Sequence, residues 1–194
     1  MLRDFDDLKH RMAMDLNGCP WPEKRQALAE AYKELCDKAG VLGETLSVTV
    51  VQDQQVYALR NNRRGAVIAR LVEVRNPDGQ RLPRSAYGGR MGQGRFALVL
   101  ADDCPVVAGD VLAVDVRHSP TLEDPLDVPD ADVLADYAQV IVTGAKSVLH
   151  LMAGEPWANP EKGVYEARLF RSLMSDAKSR VETSGTYESR GLHA

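Results

Sequence analysis

The hydrophobic period of this chain changes twice, from helical to alternating near Glu44 and back to helical near Asp130, and that double switch limits the folds open to it. In "FDDLKHRMAMDL", Phe5, Leu8, Met12 and Leu16 recur at helical spacing, which predicts a first short helix. "NGCPWP" breaks it. The stretch "EKRQALAEAYKELCDKAG" then sets Ala27, Leu28, Ala31, Tyr32, Leu35, Cys36 and Ala39 on one stripe, closed by Gly40. From Glu44 the pattern alternates. Leu46, Val48 and Val50 interleave with Thr45, Ser47 and Thr49, the pattern of a half-buried strand. "AVIARLVEVR", the turn "NPDG", "RFALVL" and "VLAVDVR" continue it, giving five or six short strands, enough for a small antiparallel sandwich or barrel.

Pro120, Pro125 and Pro129 carry the chain back towards helix. Asp130 can cap the run "ADVLADYAQVIVTGAKSVLHLMA", with Val133, Leu134, Tyr137, Ile141, Val148 and Met152 on its stripe and Gly154 ending it. Asn159 then caps a last helix, with Pro160 in its first position. There Val164, Ala167, Phe170, Met174, Ala177 and Val181 step by three or four, so the two helices can lie antiparallel as a hairpin. "SGTYESRGLHA" remains as a polar tail.

The glycine-rich stretch "AYGGRMGQGRFALVL" invites a nucleotide-binding reading, and the residues argue against it. A phosphate cradle needs a strand leading into a helix N-terminus, whereas "RFALVL" after Gly94 is strand-like, no Gly-Lys-Ser/Thr follows, and the glycines run in reverse of the dinucleotide fingerprint. A long hairpin tip or bulge is the simpler expectation.

Composition excludes further classes. No apolar run approaches the roughly 18 residues of a membrane helix, and the acidic start "MLRDFDDLKHRM" has no apolar signal core, so the expectation is a soluble protein made in a cytoplasm. Cys19, Cys36 and Cys104 are odd in number and widely spaced, without a disulfide framework or zinc pattern, and read as buried thiols. His10, His118, His150 and His193 are far apart and read as surface or helix-edge residues. Ser85 and Ser119 lack a nucleophile elbow, and Asp102-Asp103 suits a turn. No catalytic residue, metal ligand or cofactor site is expected, and the chain does not read as an enzyme.

The net charge of −4 hides two opposed blocks. Residues 60–95 hold nine arginines and no lysine against Glu73 and Asp78, a balance of +7, while residues 102–136 hold ten acids and Arg117, a balance of −9. Opposite blocks suit copies of one chain packing side by side. The candidates for inter-subunit or channel charges are Arg60, Arg63, Arg64, Arg90, Arg95, Asp127 and Asp130.

The order of elements resembles the head-to-tail adaptor (connector) proteins of short-tailed bacteriophages. "PWPEKRQALAEAYKELCDKAGVLGETLSVTVVQDQQVYAL" is similar to that family's opening, with its Ala-rich helix, turn, strand and Tyr-containing second strand. "AGDVLAVDVRHSPTLEDPLDVPDADVL" resembles its last strand and proline-rich return, and "GEPWANPEKGVYEARLFRSLMSDAKSRV" its closing hairpin. The resemblance implies an α+β fold, a helical bundle of N- and C-terminal helices carrying an inserted antiparallel β-sandwich or barrel-like domain. The expected divisions are 1–43 for the first bundle helices, 44–120 for the β insertion, 121–183 for the return and closing hairpin, and 184–194 for a flexible tail.

It further implies a virion structural protein of the neck between capsid and tail, about a dozen copies forming a ring. The partners would be the portal protein, a tail or nozzle protein, and packaged DNA passing through the channel without sequence-specific binding. Tyr187, Arg190 and Leu192 are the candidate portal contacts. The alternatives are another tail-completion or terminator protein, or a DNA-binding module using the arginine block; arginine without interleaved aromatics is a poor footprint for an open nucleic-acid surface.

Overall fold

A computed structural model describes residues 2–13, 15–92, 95–121 and 129–188, with side chains as far as 183. It is α+β and falls into two compact units, Met1–Val41 with Pro120–Ala194, and Leu42–Ser119.

The first unit is helical. Asp4 and Asp7 form a capping box over a short 3-10 turn, Phe5–Leu8, that leads into α1, Lys9–Ala13. Phe5, Leu8, Met12 and Leu16 are all buried, although Leu16 lies beyond the helix. In α2, Trp21–Ala39, the whole expected stripe is buried, and Gly40 ends the helix at φ 69° with its N–H on Cys36 O. Helix α3, Ala131–His150, is capped by the Asp130 carboxylate, which accepts from Asp132 N and Val133 N at 3.1 and 3.2 Å. Helix α4, Pro160–Glu188, starts where Asn159 Oδ1 accepts from Lys162 N.

Two details depart from the expected stripes. Val148, Met152 and Val164 are exposed, whereas Gly144 and Gly163 lie where the helices close on one another. A Cβ on Gly144 would meet Phe170 and Ala31, and one on Gly163 would meet Leu151. The second departure is length. Helix α4 continues past Val181 to Glu188, so the stretch set aside as a tail from Ser184 is helical over its first residues.

The second unit holds six strands: β1 Gly43–Thr49, β2 Val56–Ala58, β3 Ala66–Arg75, β4 Tyr87–Gly92, β5 Arg95–Leu100 and β6 Val111–Pro120. They form two three-stranded sheets, β1-β6-β3 and β2-β5-β4. Leu46, Val114 and Val116 from the first sheet and Tyr57, Leu98 and Tyr87 from the second belong to one buried core. The expected barrel does not close, because the edge strands β1 and β2 are not hydrogen-bonded to each other. The "NPDG" turn forms as its residues dictate, with Gly79 at φ 76° and its N–H on Asn76 O.

Candidate interaction surface

The glycine-rich stretch is a β-hairpin. Gly92 pairs with Arg95, Arg90 with Ala97 and Gly89 with Leu98, so the stretch leads from strand to strand, with no helix N-terminus among its described residues for a phosphate to meet. Gly89 is glycine for a packing reason: the Phe96 ring lies over it, and a Cβ there would come within 2.6 Å of Cζ.

Strand register gathers the arginines at one end of the β unit. Leu59 N–H donates to Phe96 O at 2.9 Å, which brings the next residues on each strand, Arg60 and Arg95, side by side. Arg90 lies near on β4. In the β2–β3 connection, Arg63 Nη2 donates to Gly43 O at 3.2 Å, beside exposed Arg64, and Asn62 Nδ2 donates to Glu44 Oε1 at 3.1 Å. Gly43 is paired with Arg117, whose guanidinium packs against it. Burial pushes the Arg117 pKa down; Asp115 opposes this and nearby Arg70 adds to it.

Acids gather at the opposite end. Val50 N–H donates to Asp110 O at 2.8 Å, Asp110 Oδ2 accepts from Val107 N–H at 2.9 Å, and Asp102 accepts from Gln55. The two charge blocks of the sequence thus become, in part, the two ends of one unit. Not every charge obeys this division: Arg75 pairs with Asp115 at 2.8 Å and Arg81 with Glu73 at 2.9 Å, so some of the basic block is neutralised inside the chain.

Of the sequence candidates, Arg60, Arg64, Arg90 and Arg95 are exposed and Arg63 is partly covered, all at the arginine end. Asp130 belongs to the helical unit, where its carboxylate is engaged in capping α3. Asp127, Arg190 and Leu192 lie outside the described residues, and Tyr187 falls in α4 with its side chain beyond the described ones. Sequence reading missed Arg70 and Arg117 as members of this end, since only register reveals their neighbours.

The histidines are corrected in part. His10 is exposed, but His118 and His150 are buried. His118 Nε2 stands 3.5 Å from Glu44 Oε2, and His150 Nδ1 is 3.2 Å from Trp157 O. Burial also raises the Cys36 thiol to about 12, which leaves it protonated and unreactive at neutral pH. Cys19 is buried and Cys104 partly so, and all three thiols are free. Among the described residues there is no group of three potential metal ligands, and no helix is long and apolar enough to cross a membrane.

Between β1 and β2 lies a groove of about 640 Å³, lined by Thr45, Ser47 and Thr49 on one side and Ala58 and Arg60 on the other.

No protein-family model matches the chain, and no curated protein matches it. Among solved structures, a chain from the neck of a native GTA particle computed with C12 symmetry is similar at TM-score 0.34 and 12% identity, covering 86% of each chain. A chain from the neck of an empty GTA particle computed with C6 symmetry is similar at TM-score 0.31 and 14% identity, covering 85% of this chain and 86% of the other. Both scores fall below the level at which a shared fold is established.

Proposed function

We propose that this chain is a head-to-tail adaptor of a phage-like particle, a non-enzymatic subunit that assembles as a ring between portal and tail and extends the DNA channel. The observation that carries the reading is the layout: helices from the two ends of the sequence build one compact unit and the β-rich middle another, the arrangement that the sequence resemblance implies. A β unit charged oppositely at its two ends supports repeated association, because complementary potentials fix the register of neighbours. The arginine end, with Arg60, Arg63, Arg64, Arg90 and Arg95, is the surface for a neighbouring subunit or for phosphates passing through the channel. Contacts of this kind attract DNA without reading its sequence.

Tyr187, Arg190 and Leu192 are the proposed portal contacts, and Asp127 and Asp130 the proposed acidic partners of a neighbouring subunit. A neighbour's arginine at Asp130 would share a carboxylate that already accepts two backbone hydrogen bonds. The test is reconstitution. Portal-bearing, DNA-filled heads made without this chain should take up tails only after the purified chain is added, and tail attachment that does not need the chain would overturn the reading.

A further inference from the structure

We propose that the groove between β1 and β2 receives an extended segment of a different protein, a strand that pairs antiparallel with β1 and carries carboxylates towards its C-terminal side.

The backbone register makes the edge available. His118 N–H donates to Leu42 O at 2.9 Å and Val50 N–H to Asp110 O at 2.8 Å, so the even-numbered residues of β1 turn their backbone groups towards β6. The odd residues Thr45, Ser47 and Thr49 therefore turn theirs away from β6, into the groove they line. On β2, Leu59 and Gln55 bond to Phe96 and Leu100 of β5, which leaves Val56 and Ala58 turned outward in the same way. Two strand edges thus face one groove, and paired backbone groups there would satisfy both.

The molecule covers the ends of these edges and leaves the middle open. Gln54 Nε2 donates to Val56 O at 2.9 Å, and Arg63 Nη2 to Gly43 O at 3.2 Å. The Tyr57 hydroxyl ties the β1–β2 connection, accepting from Val51 N–H at 3.1 Å and lying 2.6 Å from Gln54 O. The groove is therefore held in shape before anything enters. Pairing along Thr45–Thr49 takes five residues, about 16 Å of strand at ~3.3 Å each.

Charge selects the occupant. Arg60 is the ionisable side chain of the lining apart from Tyr57, Arg63 and Arg64 follow it, and no acid lines the groove. A strand antiparallel to β1 ends beside Gly43 and these arginines, so its carboxylates belong at its C-terminal side. It starts beside Val51 and Val56, which are 51% and 50% exposed and favour an apolar residue. The chain's own β4 edge carries Arg90, and β3, whose C-terminal half is already covered by residues 80–82, carries Arg70 on the part left open; either would bring like charge to this end, which argues for a different protein over a second copy.

The test uses the full chain and a fluorescent peptide, acetyl-Val-Thr-Val-Thr-Val-Glu-Glu-amide, titrated by anisotropy. The peptide should bind. N-methylation of the alternate peptide nitrogens that face β1 should weaken it about tenfold or more, since two lost hydrogen bonds are worth about that much. Replacing Glu-Glu by Lys-Lys should weaken it comparably. Ser47→Pro should do the same without altering the thermal melt, because it removes an N–H directed away from β6. No binding of the parent peptide, or equal binding of its N-methylated form, overturns the proposal. Self-association abolished by Ser47→Pro, with no peptide binding, makes a second copy the occupant and overturns it equally.

Discussion

Gly144 of α3 lies so close to Phe170 of α4 that a Cβ at Gly144 would stand 2.7 Å from ring carbon Cε2 and 2.9 Å from Ala31 Cβ on α2. Three helices meet at this point, and the missing side chain lets them close. Helix propensity alone favours Gly144→Ala by about 1 kcal/mol, but a Cβ closer than 3.0 Å to both the ring and Ala31 forces a packed neighbour to move. We expect Gly144→Ala to lower the melting temperature and Gly144→Val to cost about 1–3 kcal/mol. In a double-mutant cycle followed by thermal unfolding, Phe170→Leu should recover part of the loss at Gly144→Ala; additive losses would show that the two residues do not oppose each other.

The second prediction separates packing from phosphate binding in the glycine-rich hairpin. Gly89 is covered by Phe96, whereas Gly88 and Gly92 have open space where a side chain would go. Gly89→Ala should therefore destabilise the β unit, while Gly88→Ala and Gly92→Ala should each shift stability by less than about 0.5 kcal/mol. Chemical denaturation of the three variants checks this. Equal effects at all three positions would mean that the Phe96 contact is not what requires glycine.

Asp15 joins the start of the helical unit to its closing hairpin, accepting from Lys146 Nζ at 2.6 Å with Lys162 Nζ at 3.5 Å. Lys146 is largely buried, and its hydrogen bond is the first cause that holds the Asp15 pKa below its ordinary value. A lowered carboxyl pKa stabilises the fold above the unfolded value near 4 and ceases to do so as pH falls through the folded value. Asp15→Asn should cost about 0.5–1 kcal/mol at neutral pH, by leaving the Lys146 charge without its partner, the loss being reduced because water screens the partly exposed carboxylate. Lys162→Met, at an exposed ammonium, should cost less than about 0.5 kcal/mol. Melting temperatures of both variants at pH 7 decide it.

His118 gives a pH dependence of the same sign from a different cause. It is fully buried, and burial lowers its pKa; Glu44 pulls the other way and Arg63 adds to the lowering. The unfolded chain therefore takes up a proton near pH 6.5 that the folded chain still refuses, so stability falls as pH drops from there towards the folded pKa. Urea midpoints measured at about pH 7.5 and 5.5 should fall more steeply for the native chain than for His118→Gln. Parallel slopes would remove His118 from the account.

Much of the helical unit was legible because its signals are local. Gly40, Asp130, Asn159 and Pro160 mark helix ends through their own backbone and side-chain chemistry, and each stands where the sequence places it. Alternation likewise located β1, since Leu46 and Val50 are buried while Thr45, Ser47 and Thr49 are exposed. Pairing was not legible. Which strand lies beside which depends on residues far apart in the chain, so the split into two sheets, the approach of Arg60 to Arg95 and the open edges at the groove emerge only with register. The burial of His118 and His150 has the same origin, because neighbours distant in sequence decide whether a lone polar residue in an apolar run meets solvent.

Whether this chain builds a ring is decided by electron microscopy of the purified chain, alone and mixed with portal protein. Closed rings of about a dozen copies around an open channel are expected in at least the mixed sample. Single copies in both samples, with portal rings left bare, would contradict ring assembly.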